Sequence, residues 1–417
     1  VSVNLLYAVA GRYANILEHA TLTSSSEDTN RPLAHLAIGR PSMPFAFSAA
    51  GEDDYVEADL SRVQDGDFEG TTLTDEWTDA SVGASNAVAY EDTIINAGAQ
   101  ALKVTLATAG AGNLAGVYRD VVARSGQTWH VQAALRGDGT VSARLRVLIV
   151  ETGQWVQDDG SLSTVADVAA RATASYADSG IIDFTLPTYA VCKRELLTLR
   201  VYCLAAEASN TGVAYFDDVA LWPSWDWASF HGIAVGDVDI QLRSSSDAFD
   251  ADDQLVDTVT ADIPVCYTRL DTPVADRWAR VVFSGTNHEA IEIGEWVLAE
   301  MGEFTEPNRG LSDEDKWWDI TNDGPTGEQS PVIMSRFPRR SLTLDFTHFT
   351  RAEQLSLRRE ISNRSHGPTY PIVACLPDEG ICILGRKDQL WKARLRTPSL
   401  SEETSLVIAE SAFSPCC

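Results

Sequence analysis

Residues 141–150 read VSARLRVLIV. Val141, Ala143, Leu145 and Val147 fall on one side of an extended chain, and Ser142, Arg144 and Arg146 on the other. That period of two is what a half-buried strand requires. The alternation recurs in ALKVTLAT (101–108), TWHVQAALRG (128–137) and ELLTLRVYCLA (195–205), and GVAYFDDVALW (212–222) closes the series. Gly, Asp and Ser punctuate the gaps, as in RGDGT and DDGSLS. Short strands separated by turn signals in this way predict an all-β sandwich.

Two flanking segments look like halves of a second sandwich. One, before residue 62, contains HATLTSSSEDTN and DYVEADLS; the other, to about residue 305, contains VDIQLRSSSDAFD, RWARVVFSG and AIEIGEWVLAE. Neither half has enough strands to close a core alone. Together they predict one domain, residues 1–62 with 224–305, carrying residues 63–223 as an insertion in an exposed loop. Residues 303–335 read as loop, with TEPNRG, NDGPTGEQSP and the Trp317–Trp318 pair. Beyond them RSLTLDF is a strand and TRAEQLSLRREISNRS (350–365) a helix, opened by a Thr350/Glu353 capping box and stopped by Gly367–Pro368. Three or four further strands follow, so residues 306–417 predict a C-terminal α+β domain with one helix.

At 417 residues the chain has length for two to four domains. Its net charge of −28 sits almost wholly in front: residues 1–305 hold 18 basic and 44 acidic side chains, residues 306–417 hold 14 and 16. Phosphate would be repelled by such a front, which disfavours nucleic acid and anionic membranes as partners. No run of eighteen apolar residues is present, and the first residues lack the basic region of a signal peptide. The seven cysteines match no zinc spacing; Cys192 and Cys203 flank a predicted hairpin and could pair, and otherwise reduced thiols are expected.

The inserted block opens with Gly66-Asp67-Phe68-Glu69 and Trp77 and closes with Tyr215-Phe216-Asp217-Asp218-Val219. With these ends it resembles the jelly-roll carbohydrate-binding modules. The resemblance implies that the first and last strands lie together and that Glu69 and Asp217 help bind a structural calcium, an ion served by six to eight oxygens. It also implies a sugar site built on aromatic platforms. Candidates are Trp155, Tyr118 and Trp129, with Tyr90 and Tyr176 as outsiders. Trp129 alternates with Val131 and Ala133, which also suits a core position, whereas turn residues bound Trp155.

The split outer sandwich resembles discoidin-type, galactose-binding-like domains through ATLTSSSE, HLAIGRPSMPF, DYVEADLS and IQLRSSSDAF. Ile38 before Gly39, and Phe45 where that family has tryptophan, depart from its pattern, so its own ligand site is not carried over. The C-terminal domain is similar to tail proteins of long-tailed bacteriophages. Taken together, the resemblances imply a structural virion component near the distal end of a phage tail, assembled in the host cytoplasm. It would form a homo-oligomeric ring, a hexamer or trimer, contact other tail proteins, and display glycan-binding domains to the host surface. The alternatives are a secreted or surface glycan-binding protein of a bacterium, or the non-catalytic part of a polysaccharide hydrolase. No GxSxG, HExxH, Walker or GxGxxG pattern occurs and the seven histidines are scattered, so no enzyme is expected.

Overall fold

A computed structural model describes residues 2–9, 15–37, 44–49, 51–83, 85–108, 110, 113–166, 169–172, 174–205, 210–233, 239–260, 265–286, 291–316, 319–323, 329–333, 339–346, 372–376, 381–387, 393–397 and 400–410. The chain is mainly β and divides into two compact units, Leu60–Ser224 and the remainder, Val1–Asp59 with Trp225–Cys417.

Leu60–Ser224 is a two-sheet jelly-roll sandwich. One sheet runs Thr78–Asp79, Ala115–Arg124, Leu196–Ala205, Ala143–Ile149, Gln154–Val156, Leu162–Ser163, with Ala170–Ala172 also on Ala143–Ile149. The other runs Ala87–Glu91, Ala101–Leu106, Gly212–Pro223, Thr128–Gly137, Ala177–Asp178, with Ile182–Thr185 also on Thr128–Gly137. Alternate residues of the two sheets meet in one core. Leu145, Val147, Leu199 and Val201 come from the first, and Val104, Leu135 and Phe216 from the second. Because the period is two, burying these residues commits Arg144, Arg146, Arg200 and Tyr202 to the outer face.

The motifs at the two ends of this unit meet. Val219 N donates to Gly66 O at 2.8 Å, and Arg62 N to Leu221 O at 2.8 Å. A Cβ on Gly66 would lie 2.0 Å from Val219 O, so only glycine permits the approach. Phe68 and Trp77 are buried and stacked at 5.3 Å, and the Trp77 indole N–H donates to Asp65 O at 3.1 Å. Tryptophan in the opening motif is therefore a core residue with its polar tip satisfied.

In the other unit, strands from both sides of residues 60–224 share one five-stranded sheet, ordered Thr21–Ser24, Glu52–Asp59, Trp278–Thr286, Asp239–Ser245, Gln254–Thr260. Arg277 and Arg280 lock the central pairing through Asp59 and Glu57. The structure departs from the sequence reading in four places. Ser2–Val9 pairs with Gly302–Lys316 and Ile372–Leu376, so it belongs to a seven-stranded sheet of C-terminal strands rather than to the split sandwich. Residues 303–335, read as loop from their turn residues, contain the strands Gly302–Lys316, Asp319–Asp323 and Gln329–Ile333. Residues 306–417 are not a separate body, because Val373, Cys375, Cys382 and Leu384 share a core with Trp227, Val297 and Ala299. Cys192 and Cys203 are free, whereas Cys375 and Cys382 are joined across neighbouring strands. The expected helix at 350–365, the Trp317–Trp318 pair and Cys416–Cys417 lie outside the described residues.

Candidate functional site

The outer face of the Ala115–Arg124 sheet carries the aromatic side chains that its inner face has no room for. Strand register sets them in rows. Tyr118, Tyr202 and Arg146 lie side by side on three adjacent strands, and Asp120, Arg200, Leu148 and Trp155 on four. At about 4.8 Å per strand, the longer row spans about 14 Å, the length of a short oligosaccharide.

All three aromatic side chains are half-buried: supported from beneath and open above. Ring centroids lie 5.6 Å apart for Tyr118 and Tyr202, and 5.8 Å apart for Trp155 and Tyr202. Tyr202 is thus the middle of three neighbouring rings, its plane tilted 49° from that of Tyr118 and 32° from that of Trp155. Arg200 fixes one end. Its Nε and Nη2 donate to the two Asp120 carboxylate oxygens at 2.7 and 2.8 Å, and its guanidinium sits 4.1 Å from the Tyr118 ring centroid. Asp120 beside it holds the Arg200 pKa above its ordinary value. Arg146 lies 6.0 Å from the Trp155 ring centroid at the other end. Flat apolar faces bordered by fixed hydrogen-bonding groups suit a ligand with both C–H faces and hydroxyl edges, as a pyranose has.

Of the sequence candidates, Tyr118 and Trp155 come together here and Trp129 does not. Trp129 is 2% exposed, opposite Phe184 on the other sheet, with its ring in the core. The alternation with Val131 and Ala133 already carried that signal. Tyr90 donates its hydroxyl to Asp65 Oδ2 at 2.7 Å, and Tyr176 donates to Ile94 O at 3.0 Å. Burial first, then Asp65, raises the Tyr90 pKa, and burial also raises that of Tyr176. Both serve as internal props. Tyr202, the middle ring, was not among the sequence candidates; its place in phase with Thr198, Arg200 and Leu204 on the outward side of a clean alternation was the available signal.

Glu69 and Asp217 act on one loop. Glu69 Oε1 accepts from Ala99 N at 2.5 Å and Gln100 N at 3.0 Å. Asp217 Oδ2 accepts from Asn96 N at 2.9 Å and Ala97 N at 3.0 Å, and its Oδ1 from Asp218 N at 2.9 Å. A bulge between Asp217 and Ala220, with Asp218 at φ 46°, turns Asp217 inward to a position 1% exposed. Burial pushes its carboxyl pKa up, against the pull of those N–H groups. Gly98, at φ +67°, carries the loop past Glu69, where a Cβ would lie 2.0 Å from Oε1.

This donor set is that of an anion cradled by amide N–H groups, not of a calcium ion surrounded by oxygens. No group of three or more His, Cys, Asp or Glu among the described residues is placed to hold a metal. In the described structure the two carboxylates clamp the loop of residues 96–100 through its amides. Glu69→Ala is expected to lower stability by about 0.5–1.5 kcal/mol, because water takes over the two exposed amides. A melting temperature unchanged by chelator in the parent chain is the companion result; a fall on chelation would show that the carboxylates face a cation after all.

No protein-family model and no curated protein matches the chain. Among solved structures it is similar to a domain described under "CBM4 structure and function", at 18% identity and TM-score 0.26, over 39% of this chain and 99% of that one. It is similar to the CBM22-1 xylan-binding domain of Paenibacillus barcinonensis Xyn10C at 15% identity and TM-score 0.25, over 37% of this chain and 88% of that one. It is also similar to the enzymatically active domain of bacteriophage CBA120 tailspike protein 4, at 14% identity and TM-score 0.26, over 39% of this chain but 21% of the tailspike chain.

Proposed function

We propose that the chain is a non-catalytic glycan-binding protein whose sugar site is the Tyr118–Tyr202–Trp155 face. The carrying observation is the three-ring platform, bordered by Arg146 and by the Arg200–Asp120 pair. An aromatic ring contributes about 0.5–1.5 kcal/mol to such stacking. Affinity electrophoresis of the full chain through gels cast with plant, algal and bacterial polysaccharides is the test. At least one gel should retard the parent chain. Tyr202→Ala should weaken that retardation about 2- to 12-fold, and Tyr202→Ala with Trp155→Ala about 5- to 150-fold. Equal retardation of parent and double variant would sink the site. Release of reducing ends by the parent would sink the non-catalytic reading.

The proposed setting is the distal part of a phage tail, where a homo-oligomeric ring would contact other tail proteins and hold several copies of this face toward a host surface. Weak sites repeated in a ring gain avidity through effective concentration. Support for the tail comes from the C-terminal sequence pattern. The Cys375–Cys382 disulfide favours a second reading, a secreted or surface glycan-binding protein of a bacterium, since disulfides persist in oxidising compartments. Immunogold electron microscopy of a culture lysate separates the two. Gold at tail tips is the expected result, and gold on cell surfaces beside bare tails would favour the second.

A further inference from the structure

We infer that the five-stranded sheet of Val1–Asp59 with Trp225–Cys417 carries a second glycan site, which takes an uncharged sugar chain laid along Tyr55, Phe249 and Trp278. None of these residues belongs to the Tyr118–Tyr202–Trp155 face, so the two sites stand or fall separately.

Period two decides what this sheet turns outward. Val56, Ala58, Ala279, Val281, Ile240 and Leu242 are fully buried on one side of its three central strands. Tyr55, Glu57, Trp278 and Arg280 alternate with them and are half-buried on the other side. Register sets their order: Asp59 lies across from Trp278, Glu57 from Arg280, and Tyr55 from Val282. Tyr55 and Trp278 are therefore offset by about 13 Å along the strands, with Arg280 between them.

The hairpin loop joining Asp239–Ser245 to Gln254–Thr260 folds back over this line. The Arg280 guanidinium sits 3.8 Å from the Phe249 ring centroid and 4.9 Å from that of Tyr55. Glu57 fixes it there, with Oε2 accepting from Nε at 3.0 Å and from Nη2 at 2.6 Å. Ala248 and Phe249 both occupy the left-handed region, at φ 60° and 63°, which a bulky residue rarely adopts. Ser245 Oγ accepts from Phe249 N at 2.9 Å, and Asp247 Oδ2 from Ala251 N at 3.0 Å, which holds the loop in place. A turn alone would be met without strain by Gly or Asn. What the strain secures is a half-exposed ring held above the sheet, and strain maintained by its surroundings is a mark of functional positions.

The ion pairs point to the class of ligand. Arg280 is closed by Glu57, Arg277 by Asp59 and Arg243 by Asp253. A charged ligand would have to break one of these pairs, whereas an uncharged one leaves them whole. Separate ring faces among fixed polar groups suit the C–H faces and hydroxyl edges of a pyranose. A line of rings about 13 Å long suits several linked sugars rather than one. A protein partner needs about 800 Å² on each side with an apolar centre, and here the rings stand among ion pairs. A second copy would also bring a further −28 of like charge.

The test uses the full chain carrying Tyr202→Ala and Trp155→Ala, run through the same panel of polysaccharide gels. At least one gel of an uncharged polymer should still retard this variant. Adding Phe249→Ala and Trp278→Ala should weaken that retardation about 5- to 150-fold. Adding Phe249→Trp alone should preserve it, since a ring is kept over Arg280. Raising the salt to about 1 M, where the Debye length is about 3 Å, should leave it unchanged. Retardation by no gel in the starting variant, with the parent still retarded, would overturn the second site and leave the first standing. Retardation that survives the added alanines, or that Phe249→Trp abolishes as fully as Phe249→Ala, would also overturn it. Loss at high salt would overturn the uncharged ligand. Sedimentation velocity covers the rival occupant: a parent dimer that Phe249→Ala with Trp278→Ala dissociates would give the face to a second copy and overturn the glycan assignment.

Discussion

Trp129→Ala is expected to destabilise the Leu60–Ser224 unit by about 3–5 kcal/mol, the range for removing a large aromatic from a packed core. The ring is 2% exposed and shares the core with Val131, Phe184 and Leu221. Its indole N–H is buried with no hydrogen-bond partner among the described residues, so part of the ring's packing gain is already offset. Trp129→Phe should therefore cost much less than its lost volume alone implies. Calorimetry of the full chain should show a transition lowered markedly in the alanine variant and little in the phenylalanine variant. Glycan affinity measured below the transition should be unchanged in the phenylalanine variant. A loss of affinity there would return Trp129 to the sugar site.

Acid should weaken the other unit through His231. Its side chain is fully buried, with Nε2 3.0 Å from Ser229 Oγ, and it stands in register between Glu295 and Val265. Burial pushes its pKa down from 6.5 to about 3. In the unfolded chain the imidazole protonates near pH 6.5; in the fold it stays neutral until about pH 3. Below about pH 6.5 the unfolded state therefore binds the extra proton, and stability falls by about 1.4 kcal/mol per pH unit. At pH 4 the loss is about 3 kcal/mol. Carboxylates also respond to acid, so the diagnostic comparison is with His231→Gln. Between pH 6.5 and 4 the variant's denaturation midpoint should change less steeply than the parent's. Parallel curves would mean that His231 charges within the fold.

Local alternation made the inserted sandwich readable. Ala143, Leu145 and Val147 announce their strand and its buried face without any partner being known. The contact between the GDFE and YFDDV ends was legible through the resemblance to jelly-roll modules, and the Val219 to Gly66 hydrogen bond shows it. What failed was non-local. Ser2–Val9 finds its partners some 300 residues away, and no local pattern names a partner at that distance. In Gly302–Lys316 polar and turn-forming residues dominate, so pairing with Ser2–Val9 and Arg339–Phe346 overrides propensity. At the proposed site, two of the three rings, Tyr118 and Trp155, were already sequence candidates. Tyr202 was hidden because its strand drew attention for the face it buries. Sequence singled out Glu69 and Asp217 as calcium ligands, and nothing local in it showed the amides of residues 96–100 that they accept from.

The Arg62–Leu221 hydrogen bond brings the chain's entry into Leu60–Ser224 beside its exit. A module at the end of a chain hangs from one tether; this one hangs from two, anchored side by side. A pull applied at the aromatic face is shared between parallel covalent paths, and the backbone ladder joining them is loaded along with both. Peeling then requires several hydrogen bonds to yield together. A single proteolytic nick in either connection also leaves the module attached by the other. For a protein whose proposed work is to hold a particle or a cell against drag, resistance to detachment is set in part by where the insertion begins and ends.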